Sequence, residues 1–269
     1  MIDKDSEWIF PENLKKQEKK ARKLIDEGKG NTDHGGDFGS YYAYRKGINY
    51  DYIKPHACSN DHKALSYAKN LRAFLKSANL RLEGEILDVG CAIGTITNAI
   101  DVLSKEKRGG GRTHGLDISE DGIEVARQKY QNCIFYEQSA DDLSNFDDGS
   151  FDIIHCREFY PFTRTNDEKY HMKYLKLFYN KLKPHGFVIL TMVSLDNGLV
   201  NTYEKLENRL KNIGYSDVKK NMKIPTTQYN KLFGQLLYKR PLYGLLKMVA
   251  RTILTILRKR VKYFYILAK

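Results

Sequence analysis

The sequence predicts an α/β fold: a doubly wound, mostly parallel sheet of seven strands. Three observations carry that prediction. Short apolar strands alternate with amphipathic helices from residue 85 to residue 213. Strands such as FDIIHC (151–156) and FVILTMV (187–193) are apolar almost throughout, as parallel strands covered on both faces must be. One strand, ILDV, runs directly into a glycine-spaced turn and a helix, giving ILDVGCAIGTIT over residues 86–97. Such alternation winds a parallel sheet with right-handed crossovers.

The elements follow in order. Pro11 to Gly28 reads as a charged helix opened by proline and closed by glycine. A Gly/Asp/Tyr-rich stretch without clear period follows. From Asn60 a helix carries Leu65, Ala68, Leu71, Leu75 and Ala78 on one face. Residues 1–80 are therefore expected to form an N-terminal helical cap and leading helices, and 81–269 the main domain.

Glu85 to Val89 is the first strand, and a helix spans about Thr95 to Leu103. Thr113 to Ile118 is the second strand. Ser119 is placed to cap a helix with Ile123, Ala126 and Tyr130 on one side. Cys133 to Tyr136 and Phe151 to Cys156 are strands three and four. The helix Asp167–Leu182 turns Met172, Leu175, Phe178 and Leu182 inward, with Pro184 and Gly186 marking its end. Phe187 to Val193 is strand five, and a helix from Tyr203 to Ile213 stops at Gly214. Residues 215–224 and KYFYILA (262–268) supply the last two strands, with 225–261 a basic helical insertion between them.

Charge is unevenly spread. After Asp217 the chain has no acidic residue and 13 basic ones, so of a net charge of +12 the first 217 residues hold −1. No run of about 18 uncharged apolar residues is present, and the N-terminus lacks a basic-then-apolar signal layout. A cytoplasmic location is expected. Cys58, Cys91, Cys133 and Cys156 are scattered without a CxxC pair, so reduced thiols are expected and no metal site.

The chemistry-bearing signals sit where strands end. Asp88 precedes the glycines, which are spaced GxxxG (Gly90, Gly94) rather than GxGxxG. A carboxylate there repels a pyrophosphate but tolerates a cationic ligand, and the glycines let the backbone approach that ligand closely. Asp117, in HGLDIS, ends the second strand 27 residues after Gly90 and can accept both hydroxyls of a ribose. QSADDL (138–143) follows the third strand, where Ser139, Ala140 and Asp141 can frame a base.

ILDVGCAIG, HGLDIS, SADDL, GSFDIIHC and LKPHGFVIL together resemble the class I S-adenosylmethionine-dependent methyltransferases, in the broad branch that includes quinone and sugar methyltransferases. The likeness covers about residues 81–194, and YFYILAK resembles that family's last antiparallel strand. It implies S-adenosyl-L-methionine as cofactor. The loop from Asp88 through Gly90, Cys91 and Ala92 to Gly94 would hold its methionine part, and Asp117 with Ile118 its ribose. Ser139, Ala140 and Asp141 would flank the adenine, and Arg157 matches a position that commonly lines the pocket. Ala92 stands where the family commonly has glycine, which suits a turn with no need of positive φ there. The fourth strand runs into HCREFYPF instead of an NPPY-type motif, which argues against N-methylation of bases or amides.

HCREFYPF (155–162) is where acceptor chemistry is expected, with Glu158 or His155 as a base for a hydroxyl proton. A salt bridge between Glu158 and Arg157 is the competing reading. Such reactions also proceed by positioning alone. RGGGR (108–112) joins a helix to a strand at the opposite edge and reads as a solvated loop. The insertion carries PLYGLLKMVARTILTILRKR (241–260), where Lys247, Arg251 and Arg258 form a stripe beside a broad apolar face. Such a helix lies on an anionic membrane surface or packs on its own domain. Aromatics are not interleaved with these charges, as a nucleic-acid surface would have them.

The leading expectation is O-methylation of a sugar, glycan or lipid-linked hydroxyl by a cytoplasmic protein, with 241–260 either packing on its own domain or attaching it peripherally to the inner membrane surface. C-methylation of a quinone or lipid ring, RNA methylation and a non-catalytic partner subunit are the alternatives.

Overall fold

The computed structural model describes residues 61–106, 111–118, 120–159, 161–162, 167–193, 199–222 and 262–269. The cap expected over 1–60, the Ser119 cap, Cys58 and the insertion at 225–261 lie outside the described residues. The elements are α1 (Asp61–Ser77), β1 (Ile86–Val89), α2 (Thr95–Lys105), β2 (Thr113–Asp117), α3 (Glu120–Lys129), β3 (Ile134–Glu137) and β4 (Phe151–Arg157), followed by α4 (Glu168–Lys181), β5 (Leu182–Val193), α5 (Leu199–Ile213), β6 (Asp217–Met222) and β7 (Lys262–Ala268).

The strands form one seven-stranded sheet in the order β3-β2-β1-β4-β5-β7-β6. Neighbours from β3 to β5 pair in parallel, and β7 runs antiparallel to both β5 and β6. The order reverses between β1 and β4. At such a switch point the crossovers diverge to opposite faces and leave a crevice beyond the carboxyl ends of the strands.

Period-two alternation splits the core between the two faces. Leu87, Val89, Ile154, Cys156, Val188 and Leu190 point to one face, where they bury Leu175 and Phe178 of α4 and Leu206 and Leu210 of α5. Ile86, Ile153, Phe187, Ile189 and Ile266 point to the other, against Leu71 and Phe74 of α1 and Ile96 and Ile100 of α2. A smaller cluster of Cys91, Ile123, Ala126, Tyr130, Cys133 and Phe135 seats α3.

Boundaries differ from expectation around α4 and β5. The Asp167 carboxylate accepts from the Lys169 and Tyr170 amides (2.9 and 3.3 Å), so it caps α4 rather than beginning it. The helix ends at Lys181, before Pro184, because Leu182 already adopts an extended ψ of 139°. Phe151 then pairs with Leu182 and Ile153 with Phe187, leaving residues 183–186 as a bulge at the start of β5. The bulge accommodates Pro184 and the positive φ of 66° at His185. Helix α5 begins at Leu199, ahead of the expected Tyr203. Arg112 lies beside the amino end of β1, its carbonyl accepting the Ile86 amide at 2.9 Å, so the end of RGGGR sits at the opposite edge as expected.

Candidate active site

The turn after β1 is built from left-handed residues. Gly90, Ala92 and Gly94 have φ of 75°, 51° and 73°. The amides of Gly90 and Cys91 both donate to the Leu116 carbonyl (2.9 and 3.0 Å), tying the turn to β2. A side chain at Gly94 would come within 2.6 Å of the Phe135 ring and 2.9 Å of Ala126. Only glycine lets α2 start this close to α3 and β3. At Ala92 the positive φ overturns the expectation that this position needs none. The strain is held by a hydrogen bond: the Ala92 amide donates to Asp117 Oδ2 at 2.8 Å.

Asp117 is thus at the end of β2, 4 % exposed, and turned toward the same turn as the glycines. Ile118 follows it directly, half-buried. After β3, Gln138 donates its amide to the Asp117 carbonyl at 3.0 Å. Ser139 Oγ accepts the Asp141 amide at 2.9 Å, giving a tight turn in which Ala140 is buried. Lys173 of α4 reaches across to Asp141 (2.5 Å) and fixes this turn to the helix. These residues form a continuous lip along the ends of β1, β2 and β3.

Asp88 is not part of that lip. It is 2 % exposed, and both its oxygens are occupied inside the protein. Oδ2 accepts from Thr97 Oγ1 of α2 at 2.6 Å, and Oδ1 contacts His155 Nδ1 at 2.7 Å. Asp88 and His155 are direct register partners across β1 and β4, on the face that α1 covers. His155 Nε2 meets the Tyr67 hydroxyl at 2.7 Å, and that hydroxyl meets Thr191 Oγ1 of β5 at 2.7 Å. His155 is fully buried with both ring nitrogens engaged. The expected base at this position therefore has no ring nitrogen to offer an acceptor, and its geometry is that of a positioning group. Arg157, half-buried at the end of β4, stacks its guanidinium 5.2 Å from the centre of the Tyr67 ring. Burial pushes the Tyr67 phenol well above its ordinary range, and outweighs the lowering by the Arg157 charge and the Thr191 hydrogen bond.

Glu158 is the first residue past β4 and stands in a left-handed conformation (φ 52°), its amide donating to the Thr191 carbonyl at 2.8 Å. A glutamate in that region is strained by about 1–2 kcal/mol, and such strain gathers at functional positions. Phe159 comes next and lies 3.5 Å from where a side chain at Gly90 would begin. It packs edge-on with Phe162 (5.4 Å) and Tyr174 (5.2 Å), an aromatic wall beside the glycine turn. His171 Nε2 donates to the Pro161 carbonyl (3.0 Å) and holds this wall to α4.

The thiols of Cys91, Cys133 and Cys156 are free and buried. Burial raises Cys91 and Cys156 far above the usual thiol range and pushes Cys133 up to about 12.

Tyr67, Thr97 and Thr191 were not legible as functional from the sequence. The signal for them is indirect: Asp88 and His155 each interrupt a buried apolar strand, and a buried polar group requires partners.

The chain belongs to the methyltransferase domain family, which matches residues 62–243. That family, with a switch point between β1 and β4 and a reversed last strand, places the protein among the class I S-adenosylmethionine-dependent methyltransferases. Over 102 residues it is 30% identical to an uncharacterized methyltransferase, YcgJ, of Bacillus subtilis, a stretch covering 36% of this chain and 38% of that one. Over 83 residues it is 36% identical to the demethylmenaquinone methyltransferase of Chlorobaculum tepidum, covering 29% of this chain and 32% of the relative. The match thus spans well under half the length of either relative. The solved plantazolicin methyltransferase BpumL, in complex with a pentazolic desmethylPZN analog and SAH, aligns over 97% of this chain and 99% of its own, with a TM-score of 0.54 and 15% identity. At that identity the likeness is one of fold.

Proposed function

We propose that this chain transfers a methyl group from S-adenosylmethionine to a hydroxyl of a sugar, glycan or lipid-linked acceptor. The residues present suit the cofactor. The turn is open at Gly90, which is exposed between buried neighbours, and the Asp117 carboxylate lies beside it, accepting the Ala92 amide. A carboxylate acceptor at that place suits a ribose diol, tolerates a cationic ligand and is ill suited to a pyrophosphate. Asp117 would hold the ribose, the turn from Val89 to Gly94 the methionine part, and Ser139 to Asp141 the adenine. When bound, the cofactor supplies an electrophilic methyl group.

The observation that carries the acceptor reading is Glu158. Its strained backbone sets a carboxyl-bearing residue at the end of β4, next to Phe159 and the glycine turn. The proton lost by an acceptor hydroxyl passes to the Glu158 carboxylate and from there to water. Glu158→Gln should keep S-adenosylhomocysteine affinity within about twofold and lower turnover by roughly 10²-fold or more. Full turnover across pH would exclude the base.

Thirteen basic residues with no acid after Asp217 support an acceptor that carries phosphate or sits on an anionic membrane, since each such charge near the surface adds about 1 kcal/mol. Co-sedimentation with anionic but not neutral vesicles, weakening with salt, is the expected result.

A second reading, C-methylation of a quinone ring, is favoured by the aromatic wall of Phe159, Phe162 and Tyr174 and by the quinone-methylating relative. Transfer from isotopically labelled cofactor to panels of lipid-linked sugars and quinones separates the two: an O-methyl carbon and a ring C-methyl carbon differ plainly in the product's NMR spectrum.

A further inference from the structure

We infer that Tyr67 of α1 is a positioning residue of the cofactor site, acting through His155 on Asp88; the inference rests on the cofactor reading above. The chain of contacts runs Thr191, Tyr67, His155, Asp88, Thr97, each link between 2.6 and 2.7 Å. A carboxylate only accepts hydrogen bonds. Thr97 Oγ1 and His155 Nδ1 must therefore both donate to Asp88. With the ring neutral, as the inference requires, Nε2 is an acceptor and the Tyr67 hydroxyl donates there. Thr191 Oγ1 then donates to Tyr67. Every bond in the buried chain points toward Asp88.

That direction matters for the glycine turn. Asp88 lies two residues before Gly90, and Thr97 lies in the first turn of α2, three residues after Gly94. One carboxylate thus clips together both ends of the segment that would cradle the methionine part. A ring holding its proton on Nε2 would present a bare nitrogen to Asp88 and lose the clip on the β4 side. Tyr67 keeps the proton on Nδ1 by occupying Nε2. It is itself fixed by α1, by Thr191 and by Arg157 over its ring. Because the Thr191 carbonyl also holds the Glu158 amide, the same strand position anchors the chain's far end and the start of the acceptor loop.

The test is a double-mutant cycle on the full chain, with S-adenosylhomocysteine as the probe, read by calorimetry. Tyr67→Phe should weaken binding by about tenfold. In a His155→Asn background, where an amide replaces Nδ1–H and no ring remains to hold, the same substitution should change binding less than twofold. A long-range ¹H–¹⁵N spectrum of the wild type should show His155 protonated on Nδ1 alone, and Tyr67→Phe should lose that single state. If Tyr67→Phe folds poorly by circular dichroism, Thr191→Val should shift affinity and spectrum in the same direction by less. An unchanged spectrum, wild-type affinity in Tyr67→Phe, or an equal loss in both backgrounds would overturn the inference and leave the cofactor reading standing. A wild type that does not bind the probe would overturn both.

Discussion

Asp88 Oδ1 and His155 Nδ1 lie 2.7 Å apart inside the sheet, across two strands in which they are register partners. The pair explains why polar residues interrupt two apolar strands at the same level. Asp88→Ala would leave a buried imidazole N–H and the Thr97 hydroxyl without their acceptor. The expected loss is about 3 kcal/mol of folding stability. A denaturant midpoint shifted with unchanged slope would register it, and Asp88→Asn, which keeps one acceptor oxygen, should lose less.

Ala92 and Gly94 make opposite predictions within one turn. Ala92 holds φ 51° at the cost of a left-handed alanine, so Ala92→Gly should stabilise by up to about 1 kcal/mol once glycine's greater unfolded-state freedom is set against the relief. Gly94→Ala would drive a methyl group into the Phe135 ring and Ala126 while holding φ 73°. It should destabilise by about 2–4 kcal/mol. Thermal melts of the two variants should move in opposite directions.

At the amino edge, Glu85 accepts from His114 Nε2 at 3.0 Å and from the Arg112 amide at 3.3 Å. Burial acts to raise its carboxyl, but these hydrogen bonds and the neighbouring charges hold it below the ordinary glutamate range. A depressed carboxyl contributes stability above its unfolded value, and that contribution is lost as pH falls through the folded one. Stability should therefore decline on acidification through the carboxylate range. Glu85→Gln should flatten that decline when melting temperatures are compared across pH.

Much of the fold was written in periodicity. Continuous apolar strands and helices of 3.6-residue period marked the elements in their chain order, since those patterns report burial directly. The end of α4 was misjudged because Pro184 is a helix breaker, yet the chain had already become extended at Leu182. The lip of Asp117 and Ser139 to Asp141 was legible because strand ends fall at predictable places. The role of His155 was not. A histidine beside a glutamate at a strand end reads as a base, and only the pairing of β4 with β1 reveals that it faces Asp88. Likewise Ala92 looked permissive until its backbone conformation was seen, because a local sequence does not state the sign of φ.

The cradle formed by the glycine turn and Asp117 is tested most directly by titrating S-adenosylhomocysteine into the wild type and Asp117→Ala by calorimetry. The wild type should bind, and Asp117→Ala should bind more weakly by about 1.5–3 kcal/mol, the scale for losing hydrogen bonds to a charged group. Equal affinity in the two proteins would contradict the ribose role of Asp117, and no binding to the wild type would contradict the cofactor site itself.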